Sequence, residues 1–363
     1  MEKALIGMSG GVDSSVAAFL TKEMGYDCIG ATMRLFGNDA LGEDQESTCC
    51  SLDDVEDARS VCRRMGIPHY AFNFQDDFRS CVMEKFVRCY ESGLTPSPCI
   101  DCNRYLKFGA MLRRARELGC RYVVTGHYAR IRRDEATGRY LLYKAADPQK
   151  DQTYFLYPLT QDMLAHTLFP LGELTKPQVR EIARAQGFVT ARKHDSQDIC
   201  FVPDGDYLAF MERFTGKTYP QGNYLDRQGH VVGRHQGAVR YTIGQRKGLG
   251  LALGAPVYVC GKDMAANTVT VGPNEALFYK ALRATDWNWF PFPALTEPRR
   301  CTVKIRHSQT ETPAVVFPEG DGFARVEFDT PLRAVTPGQA VVLYDGDTVL
   351  GGGTITEALA SGK

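Results

Sequence analysis

The stretch Lys3–Ser15, KALIGMSGGVDSS, constrains this chain more than any other. Ala4, Leu5, Ile6 and Met8 make a short apolar run. Ser9-Gly10-Gly11-Val12-Asp13-Ser14-Ser15 follows at once, and Val16, Ala17, Ala18, Phe19 and Leu20 continue with helical character. A strand that turns through glycines into a helix builds an anion site. Glycines let the backbone come close to a phosphate, and the first helical N–H groups, which lack intrahelical partners, point at it. Ser9, Ser14 and Ser15 are expected to add hydroxyl donors. A Walker-type loop needs Lys directly before its last Ser or Thr; here Asp13 holds that place. Such a cradle suits a held pyrophosphate better than a γ-phosphate that is cut. The plain alternative is a serine-rich helix cap with no ligand.

At 363 residues, with 44% hydrophobic and 24% charged, the chain has room for two or three domains with sizeable cores. Lys plus Arg and Asp plus Glu number 43 each, so no net charge draws the chain toward nucleic acid, and any RNA binding must use local patches. A strand stands where a signal peptide would carry its apolar stretch, and no 18-residue apolar run occurs, so the expectation is a cytoplasmic chain without membrane association. In a reducing compartment the 12 cysteines are core, catalytic or metal-binding. Cys28, Cys62, Cys81, Cys89 and Cys120 lie in strand or helix patterns and read as small buried apolar residues.

Strand and helix patterns alternate along the first part of the chain. Asp27–Leu35 predicts a second strand whose end can reach a nucleotide; Met33 there is either an adenine contact or a core methionine. Gly37–Cys50 is polar and reads as a surface loop. Leu52–Met65 has helical spacing, His69–Phe74 a third strand, and Asp76–Ser92 a helix. Gly93–Asp101, with two prolines, reads as an ordered loop. A long helix over Arg104–Leu118 then places Cys102 at its N-terminus near Arg104 and Lys107, surroundings that lower a thiol pKa. Arg121–Gly126 returns as a strand and brings Gly126 and His127 to the nucleotide edge. Lys150-Asp151-Gln152 is expected on an exposed part of Lys144–Leu159. Lys176–Gln186 is a helix, and Cys200 stands beside a polar loop, the setting of a reactive thiol. The expected fold class is α/β: a parallel doubly wound domain at 1–204, a linking module at 205–275 and a β-barrel at 276–363 with basic strands. Asp345-Gly346 predicts a hairpin turn.

SGGVDS after an N-terminal strand resembles the pyrophosphate loop of the N-type ATP pyrophosphatases (PP-loop enzymes), which cleave ATP between its α and β phosphates and place AMP on a carbonyl oxygen. Three further segments carry a narrower resemblance: Cys102-Asn103, Ile199-Cys200-Phe201, and Tyr241–Gly250, YTIGQRKGLG. Together these resemble the bacterial tRNA-specific 2-thiouridylase family over nearly the whole chain. The resemblance implies ATP- and Mg2+-dependent thiolation of the wobble uridine, position 34, in tRNAs for Lys, Glu and Gln. It implies a sulfur-donor or relay protein fed by a cysteine desulfurase, with Cys200 receiving a persulfide and Cys102 attacking it, through a transient Cys102–Cys200 disulfide. It places Gly7, Met8, Ser9, Gly10, Gly11, Val12, Asp13, Ser14, Met33 and Gly126 on ATP, and Ser97, Pro98 and Cys99 against the target base. It places His127, Lys150, Asp151, Gln152, Arg306, His307 and Gln339 on tRNA.

One departure matters. Many members of the family carry Asp where this chain has Cys99, so an acid with a proton-transfer role at that place is missing unless Asp101 or Cys99 replaces it. Cys99, Cys102 and Cys200 also suggest three ligands of a [4Fe-4S] cluster with one iron left open. A zinc site of Cys49, Cys50, Cys99 and Cys102 is a third reading. Two other functions remain open: another adenylating PP-loop enzyme, an amidotransferase or ligase, and a non-catalytic tRNA-binding protein.

Overall fold

The computed structural model describes residues 1–36, 52–193 and 199–360. The expected loop at 37–50, with Cys49 and Cys50, lies outside them. The first sheet has five parallel strands: β1 (Lys3–Gly7), β2 (Asp27–Arg34), β3 (His69–Asn73), β4 (Tyr122–Val124) and β7 (Thr167–Leu168), in the order β3-β2-β1-β4-β7. Alternation along β1 explains why both faces are covered. Ala4 and Ile6 join one apolar core with the helices Val12–Glu23, Leu52–Met65 and Lys176–Ala185, while Leu5 joins a second core with Phe108, Met111 and Ala115. A parallel sheet buried on both faces reads as a continuous apolar run for this reason. The strand order reverses direction between β1 and β4, so the loops leaving those two strands face a shared crevice.

The helical stretch after β3 runs through Gln75–Phe78, a π segment Arg79–Met83 and Glu84–Glu91. The cysteine helix differs from the sequence expectation. It starts at Pro98 with Ser97 as N-cap, runs through Pro98–Asp101, then a π segment Cys102–Ala110, and ends in Met111–Glu117. Proline at the first helical position has its ring angle already set and loses no hydrogen bond, so Ser97-Pro98 starts a helix where two prolines suggested a loop. Cys102 is therefore one turn inside the helix rather than at its N-terminus.

The linking module is a four-stranded sheet of β8 (Gly222–Leu225), β9 (Val231–His235), β10 (Tyr258–Asp263) and β11 (Thr268–Gly272), in the order β10-β11-β8-β9. Its core is Tyr224, Tyr241, Leu249, Val259, Val269 and Val271. Strands β12 (Phe278–Trp289), β13 (Arg299–Lys304), β14 (Thr312–Gly320), β15 (Phe323–Arg333), β16 (Ala340–Asp345) and β17 (Thr348–Leu359) pair antiparallel in the order β12-β15-β14-β13-β16-β17, and β12 pairs with β17 to close a barrel. The turn at Asp345-Gly346 joins β16 to β17 as expected, with Gly346 at φ 57°. One hairpin was not legible in the sequence: β5 (Arg130–Arg133) and β6 (Tyr140–Tyr143) leave the first domain, and β6 pairs with β17 through Tyr143 and Thr348. Arg139 donates from Nε to the Phe290 carbonyl at 2.6 Å and from a terminal nitrogen to the Trp289 carbonyl at 2.9 Å. Among the described residues no helix is long and apolar enough to cross a membrane.

Candidate active site

The loop after β1 folds by its own hydroxyls. Ser14 Oγ accepts from the Ser9 amide at 3.2 Å and donates to the Gly11 carbonyl at 3.1 Å. Ser15 Oγ donates to the same carbonyl at 2.8 Å and accepts from Thr190 Oγ1 at 2.9 Å. Ser15 is fully buried, so it ties the loop to Val189–Arg192 instead of facing a ligand. Gly10 sits at φ 71°, and a Cβ there would meet the Asp54 carbonyl at 2.5 Å. Gly126, past the end of β4, lies against the first turn of the helix: a Cβ would come within 2.7 Å of the Asp13 carbonyl carbon and 2.8 Å of the Ser14 amide nitrogen. Glycine is needed here for close approach of two backbones.

Asp13 is the charged centre of this crevice. Lys176 Nζ lies 2.7 Å from both of its carboxylate oxygens, and the Tyr128 hydroxyl donates to Oδ1 at 2.8 Å. Lys176 is buried, its amide donates to Asp147 Oδ2 at 3.0 Å, and the Tyr128 amide donates to Gln152 Oε1 at 2.9 Å. Sequence reading missed Lys176 and Tyr128. A signal existed: Lys176 is the first residue of its helix, where a cation opposes the helix dipole, so a lysine there wants a separate electrostatic reason.

Met33, Cys102 and Cys200 share one apolar cluster with Phe78, Phe86, Leu106 and Phe201. Phe201 anchors the Cys200 turn, its ring 5.6 Å from Phe78, 5.2 Å from Phe86 and 5.0 Å from Phe210. Cys102 is buried, Cys200 half-buried and Cys99 exposed. Among the described residues no group of three or more His, Cys, Asp or Glu side chains gathers where a metal could sit. Nothing among the described residues supports the [4Fe-4S] reading of Cys99, Cys102 and Cys200: Cys99 stands at the solvent side of its turn while Cys102 packs into the apolar cluster. The zinc reading needs Cys49 and Cys50, outside the described residues. Burial pushes the Cys28 thiol up to about 11 and Cys62 up to about 12, as core thiols should behave. Cys120 is also buried, whereas Cys81 and Cys89 are only half-buried.

The residues expected at the target base line the start of the cysteine helix, Ser97 half-buried and Pro98 buried. Asp101 is buried, and burial pushes its carboxyl above the usual range while Lys85 Nζ, 2.6 Å away, opposes that shift. The Asn103 amide donates to the Phe155 carbonyl at 3.0 Å, and its buried Oδ1 has no hydrogen-bond partner among the described residues.

Several residues expected on tRNA hold the protein together. His127 is buried, its Nδ1 2.7 Å from Thr125 Oγ1 and its ring between Phe108 and Phe169; burial holds its pKa well below the usual value. Asp151 is buried rather than exposed: it accepts from the Ala145 amide at 3.0 Å and from Thr153 Oγ1 at 2.6 Å. Lys150 and Gln152 are half-buried beside it. Arg306 donates to the Arg333 and Ala334 carbonyls at 2.7 and 3.1 Å, and exposed His307 stacks on Phe155 with ring centroids 4.5 Å apart. Gln339 donates to the carbonyls of Thr95 and Pro96 at 3.0 and 3.1 Å.

Comparison with known proteins places this constellation in a family. Residues 2–204 match the family described as tRNA methyl transferase HUP domain, residues 209–273 the tRNA methyl transferase PRC-barrel domain, and residues 279–355 the aminomethyltransferase beta-barrel domain. The tRNA-specific 2-thiouridylase MnmA of Symbiobacterium thermophilum is 53% identical over 99% of this chain and 93% of its own length. This chain belongs to the tRNA-specific 2-thiouridylase family. The Clostridioides difficile 2-thiouridylase is 49% identical over 99% of both chains. As a 2-thiouridylase family member the protein is a sulfurtransferase enzyme on a PP-loop scaffold. The NMN synthetase of Francisella tularensis, a solved structure, is 20% identical, with a TM-score of 0.34 over 60% of this chain and 78% of that one.

Proposed function

We propose that this enzyme uses Mg-ATP as substrate to thiolate C2 of the wobble uridine, position 34, of tRNAs for Lys, Glu and Gln. A uracil carbonyl is a poor electrophile because oxide is a poor leaving group. Adenylation of O2 turns that oxygen into part of AMP and releases pyrophosphate, which the Gly7–Ser14 loop is shaped to hold. Cys200 carries a persulfide delivered by a donor protein. The Cys102 thiolate attacks the Cys200 sulfur, forming a Cys102–Cys200 disulfide and releasing hydrosulfide. Hydrosulfide adds to C2, AMP departs with the oxygen, and a thiol reductant restores both cysteines with two electrons. Asp101, buried with a raised carboxyl pKa, takes the proton-transfer place that Cys99 leaves empty. A base in a single-stranded loop is the least costly to unstack for such chemistry. The division of labour follows 1–204 for adenylation and sulfur transfer, 205–275 as the link and 276–363 as the barrel toward tRNA.

The observation that carries this reading is the grouping of Met33, Cys102 and Cys200 in one cluster at the end of the sheet that also bears the Asp13 loop. The test is nucleoside mass spectrometry on tRNA incubated with the protein, Mg-ATP and sulfide, in air and without oxygen. 2-Thiouridine in both conditions is expected. Cys102→Ser and Cys200→Ser should each lower persulfide-fed thiolation at least 100-fold while ATP affinity stays within two-fold. Wild-type thiolation by either mutant would overturn the two-cysteine scheme. Pyrophosphate release driven by a small amine instead of tRNA would favour a ligase.

A further inference from the structure

The rim of the barrel reaches across to the turn that carries Cys102. The Thr95 amide donates to the Pro337 carbonyl at 2.9 Å, and Gln339 Nε2 donates to both the Thr95 and Pro96 carbonyls. Ser97, the N-cap of the cysteine helix, comes next. Gly338 lies flush against the same segment: a Cβ there would come within 2.9 Å of Leu94 Cβ and of the Thr95 amide nitrogen. The rim is fixed in turn. The Gly338 amide donates to the Ile355 carbonyl at 2.8 Å, the Ile355 amide donates to the Gln339 carbonyl at 2.8 Å, and Arg306 holds the carbonyls of Arg333 and Ala334. From the other flank, Asn103 holds the Phe155 carbonyl and His307 stacks on the Phe155 ring. One flank of the Cys102 turn thus rests directly on the barrel and the other reaches it through Phe155.

We propose that Gln339 is a positioning residue, through which the barrel sets the start of the cysteine helix and so the placing of Cys102 against the target base. Both N–H groups of its amide are engaged by the two carbonyls, so they are not donors to RNA in this state. The inference rests on the sulfur-transfer reading, yet predicts a loss in rate and not in RNA affinity.

The test compares wild type with Gln339→Met, which keeps length without a donor, Gln339→Lys, which restores a donor for the two carbonyls, and Gly338→Ala, which presses on the same segment. Gln339→Met should lower the single-turnover thiolation rate at least ten-fold while the tRNA Kd changes less than two-fold. Gln339→Lys should recover a third or more of the rate. Gly338→Ala should reproduce the rate defect. A ten-fold weaker tRNA Kd with an unchanged rate in Gln339→Met would overturn the proposal, as would failure of Gln339→Lys to recover the rate in a folded protein. Hydrogen exchange at the Thr95 amide, expected at least ten-fold faster in Gln339→Met, reads the brace without catalysis. If wild type thiolates no tRNA but this exchange effect is present, the function reading fails and the brace stands; unchanged exchange overturns the brace.

Discussion

Asp13 shares both carboxylate oxygens with Lys176 at 2.7 Å, on a lysine that has left water almost completely. Removing one partner of such a pair leaves the other charge poorly solvated, and the cost is then on the order of 1–3 kcal/mol, below that of a fully buried pair because Asp13 keeps some exposure. Lys176→Met should therefore lower stability by that amount and pyrophosphate release at least ten-fold, checked by urea melts and a release assay; a variant with wild-type turnover would remove Lys176 from the site. His127 carries a second prediction. Burial holds its folded pKa below the ordinary ~6.5, so folding favours the neutral ring. Its stabilising share is complete above that value and is lost as pH falls, by up to about 1.4 kcal/mol per unit. Urea midpoints at pH 7.5 and 5.5 should differ less in His127→Gln than in wild type.

At the scale of elements, Gly126 is where the end of β4 comes into close backbone contact with the first turn of Val12–Glu23 at the nucleotide crevice. Gly126→Ala forces the two backbones apart, an overpacking cost of about 1–3 kcal/mol, and should weaken ATP binding at least ten-fold by isothermal calorimetry. The cysteine helix shows how sequence signals mislead. Two prolines and a glycine between Gly93 and Asp101 marked a loop, and residues through Ser97 are one, yet Pro98 begins the helix. The π segment Cys102–Ala110 has no signature in composition, since the wider turn is set by what packs around it. The β5–β6 hairpin was unreadable for a related reason: its strands are four residues each, and what ties β6 to the barrel is Thr348, 205 positions away from Tyr143.

For the whole molecule, the barrel is fastened to the first domain at several separate places. Arg139 reaches the Trp289 and Phe290 carbonyls, Asn288 donates to the carbonyls of Tyr157 and Leu159 at 2.6 and 2.9 Å, and Arg104 pairs with Asp286 at 2.6 Å. The second core of the first domain runs on into barrel residues Phe290, Ala340, Val342 and Tyr344. A shared core couples unfolding, so calorimetry should show these two parts melting in one transition. The double variant Arg139→Ala with Asn288→Ala should split or broaden it. The Arg104–Asp286 pair, half-exposed on the acid side, should show a coupling of no more than ~1 kcal/mol in a double-mutant cycle.

The sequence by itself determined the local chemistry. Lys3–Ser15 specified strand, glycine turn and helix because each step is a nearest-neighbour matter of periodicity and φ preference, and β2, β3 and the long amphipathic helices followed for the same reason. The thiols of Cys28, Cys62 and Cys120 were legible as core because apolar periodicity flanks them. Tertiary structure alone decided which distant groups meet: Lys176 with Asp13, 163 positions apart, and Gln339 with Thr95, 244 apart. It also decided that His127 and Asp151 are inside. Exposure of a polar residue in a loop depends on what the fold lays over it, and no local pattern records that.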